Sequence, residues 1–170
     1  MFDEILENLP QRATAYDGRK ARNVFTYYRV GRIQYGSKLS EHIPIGDIIV
    51  SDRQIVHIRD QRKKYIHQLI KKIYPNVRID NKSEIDMTFE YIKQAVANYD
   101  GLLKDEETGV YLLLHRGGIK LLNDNHIHGA IFELCENVFG EDVVYTIKTV
   151  HPFDWDGLKK YKWLCDIPRS

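Results

Sequence analysis

Cysteine is nearly absent from this chain: Cys135 and Cys165 are the only two, far apart and without the spacing of a metal-binding pair. Their scarcity excludes a disulfide-built scaffold and a CxxC zinc site, and it predicts a reduced, cytoplasmic protein. Long apolar runs are missing as well. No window approaches the roughly 20 residues that a membrane span requires, and Met1-Phe2-Asp3-Glu4 opens acidic where a secretory leader opens basic. Neither a membrane nor an export route is therefore expected. The chain has no glycine-rich phosphate loop, no GxSxG elbow and no HExxH motif. P-loop hydrolysis, α/β-hydrolase chemistry and a zincin centre lack support, and no metal or cofactor is expected. With 25 Lys and Arg against 24 Asp and Glu, the formal net charge is +1, so overall charge selects no partner.

What remains is an ordinary globular composition, 43% hydrophobic and 11% aromatic over 170 residues. That length corresponds to about one domain and buries about two-thirds of its unfolded surface on folding. No internal repeat or Pro/Ser-rich linker divides it. The sequence thus predicts a single domain over 1–170, with an N-terminal helix and basic arm in 1–23, a core in 24–150 and a C-terminal tail in 151–170.

Charge is distributed unevenly. Residues 10–38 carry Arg12, Arg19, Lys20, Arg22, Arg29, Arg32 and Lys38 against Asp17 alone. Residues 52–73 carry Arg53, Arg59, Arg62, Lys63, Lys64, Lys71 and Lys72 against Asp52 and Asp60. Two basic stretches on a nearly neutral body form a face that can bind a polyanion, and RNA is the candidate; a solvated helix and an exposed arm are the plainer alternative.

Apolar periodicity predicts the elements. Phe2, Ile5, Leu6 and Leu9 have helical spacing up to Pro10, and the β-branched and aromatic run Val24 to Tyr35 reads as a strand. Ile45 to Val50 is a short second strand. Ser51 and Gln54 match a capping box, and Ile55, Ile58, Ile66, Leu69, Ile70 and Ile73 form one stripe, so Ser51–Tyr74 is expected as one long helix. Asn81 and Glu84 open a second helix lasting to Asn98. Val110–Leu114 and Ile119–Leu122 flank Gly117-Gly118, a tight-hairpin signal. A third helix is expected over His126–Phe139 with Gly140 as its cap, then a strand over Asp142–Val150, then a short helix or irregular tail from Trp155 to Leu164. Segregated helices and hairpins predict an α+β fold, with helices packed on a mainly antiparallel β-sheet.

Several residues are candidates for chemistry. His126 and His128 sit two apart, about 200° around a regular helix, so they diverge and do not share a metal there. His57 shares a helix face with Arg53, Gln61, Lys64 and Gln68, opposite the isoleucine stripe. It is either an ordinary exposed histidine or an acid/base group on a phosphate-binding face. An imidazole titrates near neutrality and takes a proton from a ribose 2′-hydroxyl, while neighbouring cations stabilise charge on the phosphorane. Arg53, His57, Lys64 and Lys71 are expected to form one row along the helix, with Arg59 nearby and Arg116, beside His115, as a further cation. On the late strand, strict alternation puts Tyr145, Ile147, Thr149 and His151 on one face and Val144, Thr146, Lys148 and Val150 on the other.

The run IVSDRQIVHIRDQ, Ile49 to Gln61, takes a strand into a helix carrying a His-Ile pair, and a Thr-containing strand, Tyr145 to Val150, comes late in the chain. Over about residues 45–150 this order resembles the phage-associated branch of the barnase–EndoU–colicin–RelE-like nucleases. The resemblance implies a metal-independent endoribonuclease of toxin type that cleaves RNA through 2′-hydroxyl attack, with His57 catalytic and Lys148 or Thr149 assisting. His151, next on the late strand, completes the candidate catalytic set. These nucleases often carry a second histidine soon after the first; here the nearest is His67. The alternative from a different class is a non-enzymatic binding or inhibitory protein, phage- or plasmid-encoded, that engages nucleic acid or a nucleic-acid-binding protein complex.

Overall fold

The β-branched and aromatic stretches become strands of one sheet. The computed structural model describes residues 11–15, 24–116, 127–138 and 141–166. Among the described residues the strands are β1 (Gln11–Ala15), β2 (Val24–Ile33), β3 (Gly46–Ser51), β4 (Gly101–Lys104), β5 (Tyr111–His115), β6 (Ile127–Val138), β7 (Glu141–Phe153) and β8 (Lys162–Asp166). Their order across the sheet is β1-β2-β3-β7-β6-β5-β4-β8. Every neighbouring pair is antiparallel except β3 and β7. Three helices follow one another between β3 and β4: α1 (Asp52–Gln61), α2 (Lys63–Ile73) and α3 (Asn81–Ala97). The chain is an α+β fold with a mainly antiparallel sheet, as its sequence predicts.

The helix starts follow local chemistry. Ser51 Oγ accepts the Gln54 backbone N–H at 3.0 Å, which satisfies one of the donors that a helix start leaves unpaired. The Gln54 side chain does not close the box; its amide donates to the Lys148 carbonyl. At α3 the cap is Asp80, not Asn81, and Ser83 completes the reciprocal box. Glu84 is instead buried and ion-paired to Arg59 and His67.

The long helix expected over Ser51–Tyr74 is two helices, broken at Arg62 (φ −118, ψ 25). Arg62 lies four residues after Ile58 and four before Ile66, in the middle of the buried stripe. A guanidinium at an inward-facing position has no apolar role, and the chain turns there. The third helix over His126–Phe139 is overturned: Ile127–Val138 is strand β6. Phe139 and Gly140 lie outside the described residues, as do His126, the Gly117-Gly118 turn, Ile119–Leu122 and the N-terminal helix of residues 2–9. The partner of β5 is β6, with Leu112 opposite Ile131 and Leu114 opposite Gly129. The tail is a 3-10 turn, Asp156–Leu158, followed by β8. Part of the basic arm, Gln11–Ala15, is strand β1.

The sheet is covered by helices on one face and in part by the tail on the other. On the helix side Ile48, Val50, Leu102, Leu113, Phe132, Tyr145 and Ile147 meet Ile55, Ile58, Ile66, Leu69, Phe89 and Ile92. On the other face Leu103, Leu112, Leu114 and Ile127 pack with Leu158 and Tyr161 of the tail. Leu112 and Leu114 belong to this second cluster, and Ile131, Leu134 and Val143 are only partly buried.

Candidate functional site at the end of strand β7

Strand β3 pairs with β7 only from Asp47 to Ile49, opposite Val144 to Thr146. β7 runs on to Phe153, past the end of β3, and the first turn of α1 takes over its flank, where Gln54 donates to Lys148. The register on β6 shifts at the same place: Phe132 faces Ile147 and Ile131 faces Thr149, so Lys148 is bulged. A bulge changes which residues share a face. Tyr145, Ile147 and Val150 all reach the helix-side core. Strict alternation therefore fails, and Thr149 and His151 turn to the opposite face. There His151 lies across from Gly129, and its ring stacks on Phe153 at 4.0 Å between centroids.

His151 is the most informative side chain of this region. Its Nδ1 lies 2.8 Å from the Pro152 carbonyl oxygen. A carbonyl only accepts, so Nδ1 carries the hydrogen and Nε2 holds the free lone pair. Burial pushes the imidazole pKa below its ordinary value; the Pro152 contact opposes this, and the charges of Arg62 and Lys160 add to the depression. Burial first, and then the positive charge of Arg62 and Lys160, thus favour the neutral ring. Arg62 is partly buried and its Nε has no hydrogen-bond partner among the described residues; Thr149 Oγ1, two residues before His151, is buried and unpartnered in the same way. An unmade hydrogen bond at a buried polar group costs about 1–3 kcal/mol. Lys160 comes from the tail and also lies 3.8 Å from Asp105.

The other candidates are dispersed. His57 is exposed and makes no hydrogen bond or ion pair among the described residues; with Asp52, Arg53, Val56 and Asp60 it lines a shallow depression of about 390 Å³ on the outer side of α1. The break at Arg62 interrupts the expected row, leaving Arg53 and His57 on α1 and the exposed Lys64 and Lys71 on α2. Arg59 is largely buried and committed to Asp60, Asn81 and Glu84. Lys148 pairs with Glu133 at 3.1 Å. Arg116 pairs with Asp166 at 2.5 Å and lies over the Trp163 ring, beside β8 at the far edge of the sheet. His115 beside it is no exposed cation: it is buried against Asp100. His128 is buried between the hydroxyls of Tyr91, 2.9 Å from Nδ1, and Tyr65, 3.3 Å from Nε2.

The structure therefore sets Thr149 and His151 on one face of β7, with the charges of Arg62 and Lys160 acting on the ring, which sequence reasoning did not anticipate. The one signal for Arg62 was a charge on an apolar stripe. Among the described residues no group of three His, Cys, Asp or Glu side chains is arranged to hold a metal ion, and no helix is long and apolar enough to cross a membrane. No family model matches the chain, and neither the curated proteins nor the solved structures contain a match.

Proposed function

We propose that this chain is a metal-independent endoribonuclease of toxin type in which His151 is the general base. The observation that supports the reading is the state of that ring: Nδ1 pinned by Pro152, Nε2 free, and the neutral form favoured beside Arg62 and Lys160. A neutral imidazole Nε2 removes the proton from a ribose 2′-hydroxyl. The 2′-oxygen then bonds to phosphorus, the bond from phosphorus to the 5′-oxygen breaks, and the leaving oxygen takes a proton from solvent. Arg62 and Lys160 offset the negative charge that builds on the phosphoryl oxygens, and such prepositioned charge is usually the largest catalytic effect. The resemblance to the phage-associated nucleases implied His57 for this role. Its exposed position on α1, without a positioning contact, fits substrate contact alongside Arg53, Lys64 and Lys71 better.

Incubating the protein with total RNA in excess EDTA should yield fragments ending in 2′,3′-cyclic phosphate. RNA left intact at high protein concentration contradicts catalysis. A second reading, a nucleic-acid binder or inhibitor without turnover, draws on the lack of any second acid/base group in contact with the His151 imidazole nitrogens among the described residues. It gives binding that weakens steeply with salt and no cleavage in the same assay.

A further inference from the structure

Beyond His151, the tail carries an aromatic side chain that the core does not bury. Trp155 is 61% exposed, although tryptophan is highly buried on average. Its surroundings are nonetheless fixed. The Trp155 carbonyl accepts the Leu158 N–H at 3.2 Å to close the 3-10 turn, and Leu158 and Tyr161 are buried on the second face of the sheet with Phe153 against them. The turn also packs on Phe153, since a Cβ on Gly157 would lie 3.5 Å from Phe153 Cδ1. Phe153 is the ring stacked on His151. The indole is thus held on a rigid support that begins at the proposed base, and its own faces make no ring contact among the described residues. Trp155 lies four positions after His151, so their Cα atoms are at most about 14 Å apart. A short stretch of extended single strand covers that span.

We infer that Trp155 is a base-stacking platform and that the site takes unpaired RNA in place of duplex. The inference rests on the reading of the His151 region as an RNA site, and it names the substrate class. Base-on-aromatic stacking tolerates any sequence because every base has a π-face, and the two carboxylates that flank the indole are engaged, Asp154 by the Gly157 N–H and Asp156 by Lys159. Unpaired substrate is also what the chemistry requires. In a stacked A-form helix the 2′-oxygen is not in line with the bond to the leaving 5′-oxygen, and the nucleotide must unstack before attack. A base drawn onto Trp155 while the neighbouring ribose sits at His151 achieves that opening.

Trp155 and Trp163 are the only two tryptophans, so Trp163→Phe leaves Trp155 as the sole indole fluorophore. This protein is titrated with a 2′-O-methyl oligoribonucleotide, which cannot be cleaved, either unpaired or annealed to its complement, with fluorescence and anisotropy recorded together. The expected result is quenching by the unpaired strand and little by the duplex. Adding Trp155→Ala should weaken unpaired-strand binding by about 5- to 100-fold, with Trp155→Phe recovering most of it. Anisotropy showing unpaired-strand binding without quenching, or equal quenching by duplex, overturns the platform. Absence of any binding overturns both the platform and the proposed function, whereas quenching without cleavage of natural RNA leaves the platform standing and removes only the catalytic reading.

Discussion

His151 illustrates how one residue acquires a chemical bias from its neighbours. Burial, and then the charges of Arg62 and Lys160, disfavour its protonated form, so acidification should act against stability and against the proposed activity, and the sign of each follows. The unfolded imidazole titrates at about 6.5; the folded one titrates lower and so binds fewer protons between the two values. The stabilising contribution is complete above about pH 6.5 and is lost as the pH falls through 6.5 towards the folded value. We expect kcat/KM on a single-stranded RNA to fall on acidification with an inflection below 6.5. We also expect His151→Gln to lose less stability than wild type between pH 7.5 and 5.5 in urea titrations. An inflection above 6.5, or equal acid losses in both proteins, contradicts this picture of the ring. Histidines with a different environment behave differently: His128 is enclosed by two tyrosine hydroxyls and is structural.

At the scale of elements, the site depends on two irregularities and one glycine. The bulge at Lys148 turns Thr149 and His151 away from the helix-side core, and the break at Arg62 ends α1 where the buried stripe meets a charge. Gly129 makes room for the ring pair: a Cβ there would lie 2.5 Å from Phe153 Cε2 and 2.5 Å from Leu112 Cδ1. Gly129→Ala should therefore displace Phe153 and destabilise the fold by about 1–3 kcal/mol, the usual cost of overpacking, and lower activity through the stacked His151. Urea midpoints unchanged within error contradict this. The same elements show what sequence can reveal. α1 and α3 were legible because a cap and an apolar stripe are local properties, although the α3 cap was misplaced by one residue. β6 was read as a helix because Ile127, Ile131, Leu134, Cys135 and Val138 fit helical spacing. The first part of β6, Ile127 to Ala130, is buried on both faces, His128 and Gly129 included, so no alternation of apolar and polar residues marks it as a strand.

For the whole molecule, the parallel junction of β3 and β7 decides where chemistry is placed. It brings the start of α1 against the far half of β7, joining residues nearly a hundred positions apart, as the Gln54–Lys148 contact shows. Thr149 and His151 were visible in the sequence as residue types; Arg62 and Lys160 were not, because only the tertiary fold sets them near the ring. The basic stretch of residues 52–73 does not form one continuous cationic row, since Arg59 is tied up and α1 and α2 diverge at Arg62. The measurement that tests the central claim most directly compares cleavage of one single-stranded RNA, in excess EDTA, by wild type, His151→Ala and His57→Ala, each checked for folding by circular dichroism. Loss of a general base typically costs 10²–10⁴-fold. The account predicts a loss of at least about 100-fold for His151→Ala and only a modest effect for His57→Ala. Full activity in folded His151→Ala, or an abolished reaction in His57→Ala alone, contradicts it.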